Sequence, residues 1–432
     1  MGQPIYQFPV TDRYDAREVT EPDFDIKEYP ELYVDLSQVR SNDYLEEIKS
    51  QLNLNQDDEL TKPANIHVKV VFSGYRGSGK TTELRKLQAQ LNKPKSYISI
   101  LVDTENELEV TKFKPEDFFV ILITRLVKTL HDSHVRFAST ALTELQKEWL
   151  SEKEVVDELN EITKNEKEIS AGVSVDFLSF LKLGASIKKV FAGETKTARF
   201  IRQKIQANTP ALVDKLNMIL TEVRFGLKQE KELAKDILFI FDGSEKINYE
   251  VYESLFIKNS EQINKVQLNM IIAVPIRTFF EVTHHAALQF YDRQLLPMLR
   301  TGEASAEMKA ILTKRFRADT IIEDDALQLI IEKSGGSIRQ MLKIMNKALI
   351  STQDKITLDV LKNKILKRLS YELYATLTSE HKAILESKRY LDRNNRPNVA
   401  DPDIWQLVEA LILFKYDDII AVNPLIADDF PK

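Results

Sequence analysis

Gly74-Tyr75-Arg76-Gly77-Ser78-Gly79-Lys80-Thr81 is the stretch whose residue types and spacing most directly suggest chemistry. It fits G-x-x-x-x-G-K-[ST], in which close glycines let the backbone wrap so that successive N–H groups point at phosphate oxygens. In that pattern Lys80 reaches the β- and γ-phosphates of a nucleotide. Thr81 supplies a hydroxyl to Mg²⁺, and Thr82 follows among the binding residues. A second half of such a site needs an acid for the metal, and Asp242 stands at the end of the apolar run 237–241 (ILFIF). Glu245 is the nearest acid that could orient an attacking water, because Gly243 occupies the position directly after Asp242. A third candidate is Arg339 in Ser334-Gly335-Gly336-Ser337-Ile338-Arg339. A planar multi-donor cation there would neutralise charge on a γ-phosphate. The plainer alternative is a glycine pair ending one helix, followed by a surface arginine.

These residues need elements to hold them. Ile66–Ser73 alternates apolar residues and predicts a buried strand before the glycine loop, and Thr81–Leu91 has helical spacing after it. Tyr97–Asp103 predicts a second strand, Pro115–Leu130 an apolar helix, Ile237–Phe241 a third strand and Leu268–Val274 a fourth. Alternation of strand and helix implies a parallel sheet covered on both faces. From Ala304 the pattern turns helical: Ala304–Arg315, Asp324–Lys333 and Ser337–Ile350. Near the N-terminus, Leu32–Leu36 looks strand-like and Ser41–Leu52 helical. At the C-terminal end, Ile412–Tyr416 and Ile419–Val422 flank Asp417-Asp418 as a β-hairpin would.

Composition narrows the class. The 432 residues include only 12 glycines, and six of them (Gly74, Gly77, Gly79, Gly243, Gly335, Gly336) fall in the motifs above. With no cysteine, disulfides, thiolate zinc sites and cysteine nucleophiles are excluded, which fits a cytoplasmic protein. No apolar run approaches the roughly 18 residues that span a bilayer, and the first residues lack the features of a signal peptide. The net charge of −6 carries no global nucleic-acid signature. It is unevenly spread, with nine acids against three bases from Asp12 to Asp35. From Lys182 to Lys204 there are seven bases against Glu194. Solvated faces are the plain reading of both runs. His131, His134 and the adjacent His284 and His285 lack carboxylates at ligand spacing, so packing or surface roles are expected.

Taken together, GYRGSGKTTEL, IFDGSE, the strand ending AVP, LLPMLR and KSGGSIRQML resemble the AAA+/STAND-type P-loop ATPases. The likeness is to the branch related to origin-recognition and bacterial defence ATPases, and it spans about residues 66–432. It implies an α/β P-loop NTPase core with a parallel sheet, a helical lid and a C-terminal winged helix, for which FKYDDIIAVNPLI would be the wing. The implied division is an acidic segment and helix over 1–60, the core over 61–303, the lid over 304–350 and the winged helix over 351–432. The resemblance further implies a hydrolysing ATP–Mg²⁺ switch, homo-oligomeric and acting with a separately encoded effector or sensor protein in antiviral defence. Arg339 matches the sensor-2 arginine and Arg277 lies near sensor 1. Arg293 and Arg300 lie where an arginine finger for a neighbouring subunit is placed. Lys80, Asp242, Glu245, Arg339 and Arg300 are thus the catalytic candidates. This chain departs from the pattern where Ile338 replaces a proline and where about 160 residues separate Lys80 from Asp242.

That spacing implies an insertion over about 140–235. Within it Ser170–Gly193 alternates partly and predicts a β-hairpin or docking element, with an amphipathic membrane-binding element as the alternative. Membrane binding is not the expected role. A nucleic-acid-loading or remodelling ATPase using the winged helix and this basic insertion, with Lys362, Lys364, Lys367 and Arg368 as further binding candidates, is an alternative, as is a nucleotide-bound scaffold with little turnover.

Overall fold

The computed structural model describes residues 6–40, 43–61, 67–107, 109–135, 138–150, 152–163, 175–229, 235–247, 249–280, 292–398, 401–416 and 419–431. The class is α/β, as expected. Five strands, β1 (Lys69–Gly74), β2 (Tyr97–Asp103), β3 (Asp236–Asp242), β4 (Asn269–Ala273) and β5 (Asp292–Leu296), form one sheet in the order β2-β3-β4-β1-β5. The pairings β2–β3, β3–β4 and β1–β4 are parallel. Near-continuous apolar runs such as Ile237–Phe241 arise because β3 and β4 are buried along their whole length. No alternation is possible when both faces are covered. The strand β5 escaped the sequence reading because Asp292 and Arg293 are exposed and only its later half turns inward.

The chain forms two compact units. One comprises Met1–Tyr44, Gly74–Lys80 and Leu295–Lys432, and the other Leu45–Ser73 and Thr81–Gln294. The second unit is organised around the sheet and the 18-residue helix Pro115–Asp132. Pro115 begins that helix where a missing N–H costs nothing. The helices Thr140–Trp149, Lys153–Thr163, Val175–Ala185, Ile187–Ala192, Lys196–Ala207 and Thr209–Gln229 share its core. Here the β-hairpin expected over Ser170–Gly193 is corrected. Val175–Ala185 and Ile187–Ala192 are helices, and the buried Phe180, Leu183, Ile187 and Val190 recur at intervals of three and four, not two. Residues 170–174 lie outside the described ones. With Phe180 and Leu181 packed in that core, their apolar surface is already used within the protein.

The first unit centres on the helices Ser305–Arg315, Asp324–Ser334 and Ile338–Ser351, whose apolar faces make one core with Val10, Ala16, Val19 and Leu36. The N-terminal segment is woven into these helices. Val10 N–H donates to Arg315 O and Arg317 N–H to Val10 O, both at 2.9 Å. The buried Arg315 guanidinium donates to Val19 O and Ile311 O. The strand expected over Leu32–Leu36 is not formed; Pro30–Leu32 is a 3₁₀ turn. The carbonyls of Glu31 and Tyr33 are taken instead by the Lys314 ammonium at 3.0 and 2.6 Å, which satisfies backbone that a sheet would otherwise pair. At the C-terminal end, helices Ser379–Glu386 and Pro402–Glu409 precede the antiparallel pair β6 (Leu413–Lys415) and β7 (Ile420–Val422), the hairpin that was expected. Its Asp417-Asp418 turn lies outside the described residues.

No helix among the described residues is long and apolar enough to cross a membrane.

Candidate nucleotide-binding site

The loop from Gly74 to Lys80 carries Gly77 at φ +82° and Gly79 at φ +95°, a region that side chains other than glycine rarely adopt. A Cβ at Gly77 would lie 2.3 Å from Cβ of Arg339, so the missing side chain is what lets Arg339 approach. Lys80 is buried and its ammonium donates to Gly74 O at 2.9 Å and Tyr75 O at 3.3 Å. Tyr75 is buried, Arg76 points to solvent, and Ser78 is buried with an Oγ that has no hydrogen-bond partner. A curled backbone, a lysine resting on loop carbonyls and an orphaned hydroxyl together suit a ligand rich in oxygen acceptors.

Within the first unit two arginines, Arg339 and Arg40, lie against this loop, and Arg300 lies near Tyr416. Arg339 follows the N-cap Ser337 in the first turn of the helix Ile338–Ser351. Its N–H meets Gly77 O at 3.4 Å and its guanidinium pairs with Asp23 at 2.5 Å. Arg40 comes from the N-terminal segment and donates from Nη2 to the Ser78 carbonyl. Arg300 follows Leu299, whose carbonyl would lie 1.8 Å from a Cβ at Gly336. The pair Gly335-Gly336 is therefore both a helix cap and a point of close packing. Gly335 ends the helix Asp324–Ser334 and lies under Phe414. Tyr416 Oη, near enough to Arg300 to feel its charge, donates to Gly335 O at 2.9 Å. Arg293 is exposed on β5.

In the second unit, Thr81 Oγ1 donates to Asp242 Oδ1 at 3.1 Å. The parallel register sets Asp242 beside Asp103 at the ends of β3 and β2. The Asp242 carboxyl is pushed up to about 6, first by burial and then by the charge of Glu245, with Asp103 adding to it. The Thr81 hydroxyl and Arg85 pull the other way. Thr104 Oγ1 donates to the Asp242 carbonyl, and Arg85 pairs with Asp103 at 3.3 Å. Glu245 is half-buried in the 3₁₀ turn Ser244–Lys246, which Ser244 anchors to Ala273 O, and Thr82 is half-buried on the helix Lys80–Leu91. A buried carboxyl whose proton affinity is raised by neighbouring carboxylates favours a bound cation. Thr81, Asp242 and Asp103 are a donor set suited to Mg²⁺, which prefers carboxylate, hydroxyl and water oxygens.

Arg277 heads the short helix after β4 and lies over the Tyr249 ring at 4.6 Å. His131 Nδ1 is 3.3 Å from Asp132, whereas His284 and His285 lie outside the described residues. Much of the basic run is engaged within the protein. Arg202 is buried against Asp117, and Lys196 pairs with Glu154.

Three participants escaped the sequence reading. Asp103 had a signal, since YISILVD ends in an acid as ILFIFD does. Asp23 and Arg40 had none, because nothing in an acidic, proline-punctuated segment indicates that one will meet Arg339 and the other a loop more than thirty residues later.

No family model matches the chain, and no curated protein sequence does. Among solved structures it is similar to Cdc6p from Pyrobaculum aerophilum, at 12% identity and a TM-score of 0.39, covering 93% of this chain and 95% of that one. It is similar to the Aeropyrum pernix ORC1 protein in complex with DNA at 12% identity and a TM-score of 0.39, covering 92% and 81%. For C. elegans PCH-2 the identity is 11%, the TM-score 0.35 and the coverage 80% and 71%.

Proposed function

We propose that this chain is an ATP- and Mg²⁺-binding switch that hydrolyses ATP. One observation carries the reading: the loop Gly74–Lys80 pairs positive-φ glycines with a buried lysine held on loop carbonyls. In this reading Lys80 exchanges those carbonyls for phosphate oxygens, and the Ser78 hydroxyl gains an acceptor. Thr81 and Asp242 hold Mg²⁺, with Asp103 supporting from the neighbouring strand. The metal supplies positive charge where the phosphates develop negative charge. Arg339 releases Asp23 and turns to the γ-phosphate. Glu245 accepts a proton from the attacking water as the bond to the leaving phosphate oxygen breaks.

Phosphate release by wild type, Lys80→Ala and Glu245→Gln tests this directly. Turnover present in wild type and lost in Lys80→Ala supports hydrolysis. Nucleotide binding with equal phosphate release in both leaves a nucleotide-bound scaffold, a reading favoured by Gly243 where an adjacent glutamate would stand. Retained turnover in Glu245→Gln removes that residue as the base.

The wider role we propose is that of a homo-oligomeric switch acting with a separately encoded effector or sensor in antiviral defence, with Arg300 as the finger offered to a neighbouring copy. Its support is the sequence resemblance. Sizing with and without a non-hydrolysable ATP analogue tests assembly, and a monomer in both conditions removes the finger. One observation favours a second reading, nucleic-acid loading. A cleft of about 530 Å³ beside the C-terminal helices is lined by Lys333, Lys362, Lys367, Tyr371 and Tyr374, though Asp428 and Asp429 line it too. DNA affinity that drops steeply between about 50 and 200 mM salt supports that reading, and absent or salt-independent binding removes it.

A further inference from the structure

The N-terminal segment reaches the phosphate loop through one buried cation. Arg40 is 4% exposed, its N–H is held by Leu36 O at 3.0 Å, and its Nη2 donates to the Ser78 carbonyl. The position a Cβ would take on Gly79 lies 3.8 Å from Nη2 and 4.0 Å from Nη1 of the same guanidinium.

A trans peptide is planar, with its C=O and N–H on opposite sides. Fixing the Ser78 carbonyl therefore fixes the direction of the Gly79 N–H. Without that contact the peptide plane has a low-cost way to turn over. Gly79 sits at φ +95°, and a glycine, which accepts both signs of φ, lets the preceding plane turn over at little cost. The geometry points to Arg40 as the positioning residue of the phosphate loop. Its guanidinium keeps the Ser78–Gly79 peptide oriented with the Gly79 N–H turned away from the arginine and available to an anion. The same buried positive charge, close to Gly79, also raises the local potential for phosphate. A lysine would bring charge and a donor but not the planar fork, so it should restore the function in part. This inference rests on reading Gly74–Lys80 as a phosphate loop.

The test uses full-length wild type, Arg40→Ala, Arg40→Lys and Lys80→Ala. ADP and ATP affinities are measured by calorimetry in the presence of Mg²⁺, and melting is followed without nucleotide. Because the chain has only 12 glycines, ¹⁵N-glycine labelling also yields a spectrum in which the Gly79 amide can be followed. Loss of one charge-assisted orienting contact should weaken ADP and ATP alike by about tenfold in Arg40→Ala, with partial recovery in Arg40→Lys. The Gly79 amide shift produced by ADP in wild type should shrink in Arg40→Ala. Affinities within about twofold of wild type in Arg40→Ala, alongside loss of binding in Lys80→Ala, would overturn the inference while leaving the phosphate loop intact. If Arg40→Ala melts far below wild type, Arg40→Lys decides. Wild-type melting with no recovery of affinity or of the Gly79 shift also overturns it. A wild type that binds neither nucleotide sinks the phosphate-loop reading itself.

Discussion

The glycine loop of the first unit and the carboxylate cluster of the second, here the loop half and the carboxylate half, have opposite electrostatic habits. In the loop half, cations are met by acceptors of the protein itself: Lys80 by Gly74 O and Tyr75 O, Arg40 by Ser78 O, Arg339 by Asp23. In the carboxylate half, Asp242 is buried with Glu245 and Asp103 close enough to raise its proton affinity. An anionic ligand at the loop must compete with bonds already made, so binding there exchanges one set of acceptors for another. A cation at Asp242 relieves a cost that folding imposed. The two halves should therefore respond to mutation with opposite signs of stability.

The largest effect is expected at Lys80. If it makes two charge-assisted bonds to phosphate at about 2 kcal/mol each, Lys80→Ala loses roughly a thousandfold in nucleotide affinity, measured by calorimetry. A loss of only a few-fold would mean that the loop carbonyls remain the preferred partners. Next comes Asp242→Asn, which should weaken Mg²⁺-dependent nucleotide binding yet stabilise the nucleotide-free protein. A carboxyl raised from 3.8 to about 6 destabilises the fold at neutral pH by on the order of 3 kcal/mol, and denaturant melts at pH 7.5 would show the gain. An unchanged or lowered midpoint would break the contrast between the halves.

The pH dependence has a definite sign. Folded Asp242 holds its proton more tightly than the unfolded chain, so its contribution is fully favourable below about pH 4 and is lost as pH rises through about 6. Melts of the nucleotide-free protein across that window should show this decline in wild type and a shallower one in Asp242→Asn. The smallest effect is at Asp23, whose carboxylate is 81% exposed in its pair with Arg339. Asp23→Ala should tighten ATP binding by about two- to fivefold at low salt and by less at high salt, because exposed pairs are weak and screened. Equal affinity at all salt concentrations would show that Arg339 does not exchange partners.

Legibility in the sequence followed the range of the interactions. YISILVD and ILFIFD were readable as strands because burial on both faces leaves a run of apolar residues, and their boundaries agree with β2 and β3 to within a residue. The glycine loop was readable because its backbone demands particular residues at particular spacings. The segment Ser170–Gly193 misled because a few alternating residues cannot distinguish a two-residue from a three-to-four-residue period, and its helical form depends on the core it joins. The strand β5 misled for the opposite reason, since an edge strand with an exposed start has too little apolar pattern to register. Leu32–Leu36 has strand-like residues, but a lysine from another segment takes the carbonyls of Glu31 and Tyr33.

What the sequence by itself determined is local: the loop that can curl around phosphates, the helix that follows it, and the apolar strands that carry an acid at their ends. Each is specified by conformational preference or burial pattern within a dozen residues. Only the tertiary structure decided which distant groups attend them. It set Asp103 beside Asp242 through strand register, Arg339 against Gly77 through the space a missing Cβ leaves, and Arg40 against Ser78 and Asp23 against Arg339 through the folding of the N-terminal segment. These are contacts between residues far apart in the chain, and their energies depend on burial and orientation that no short stretch of sequence encodes.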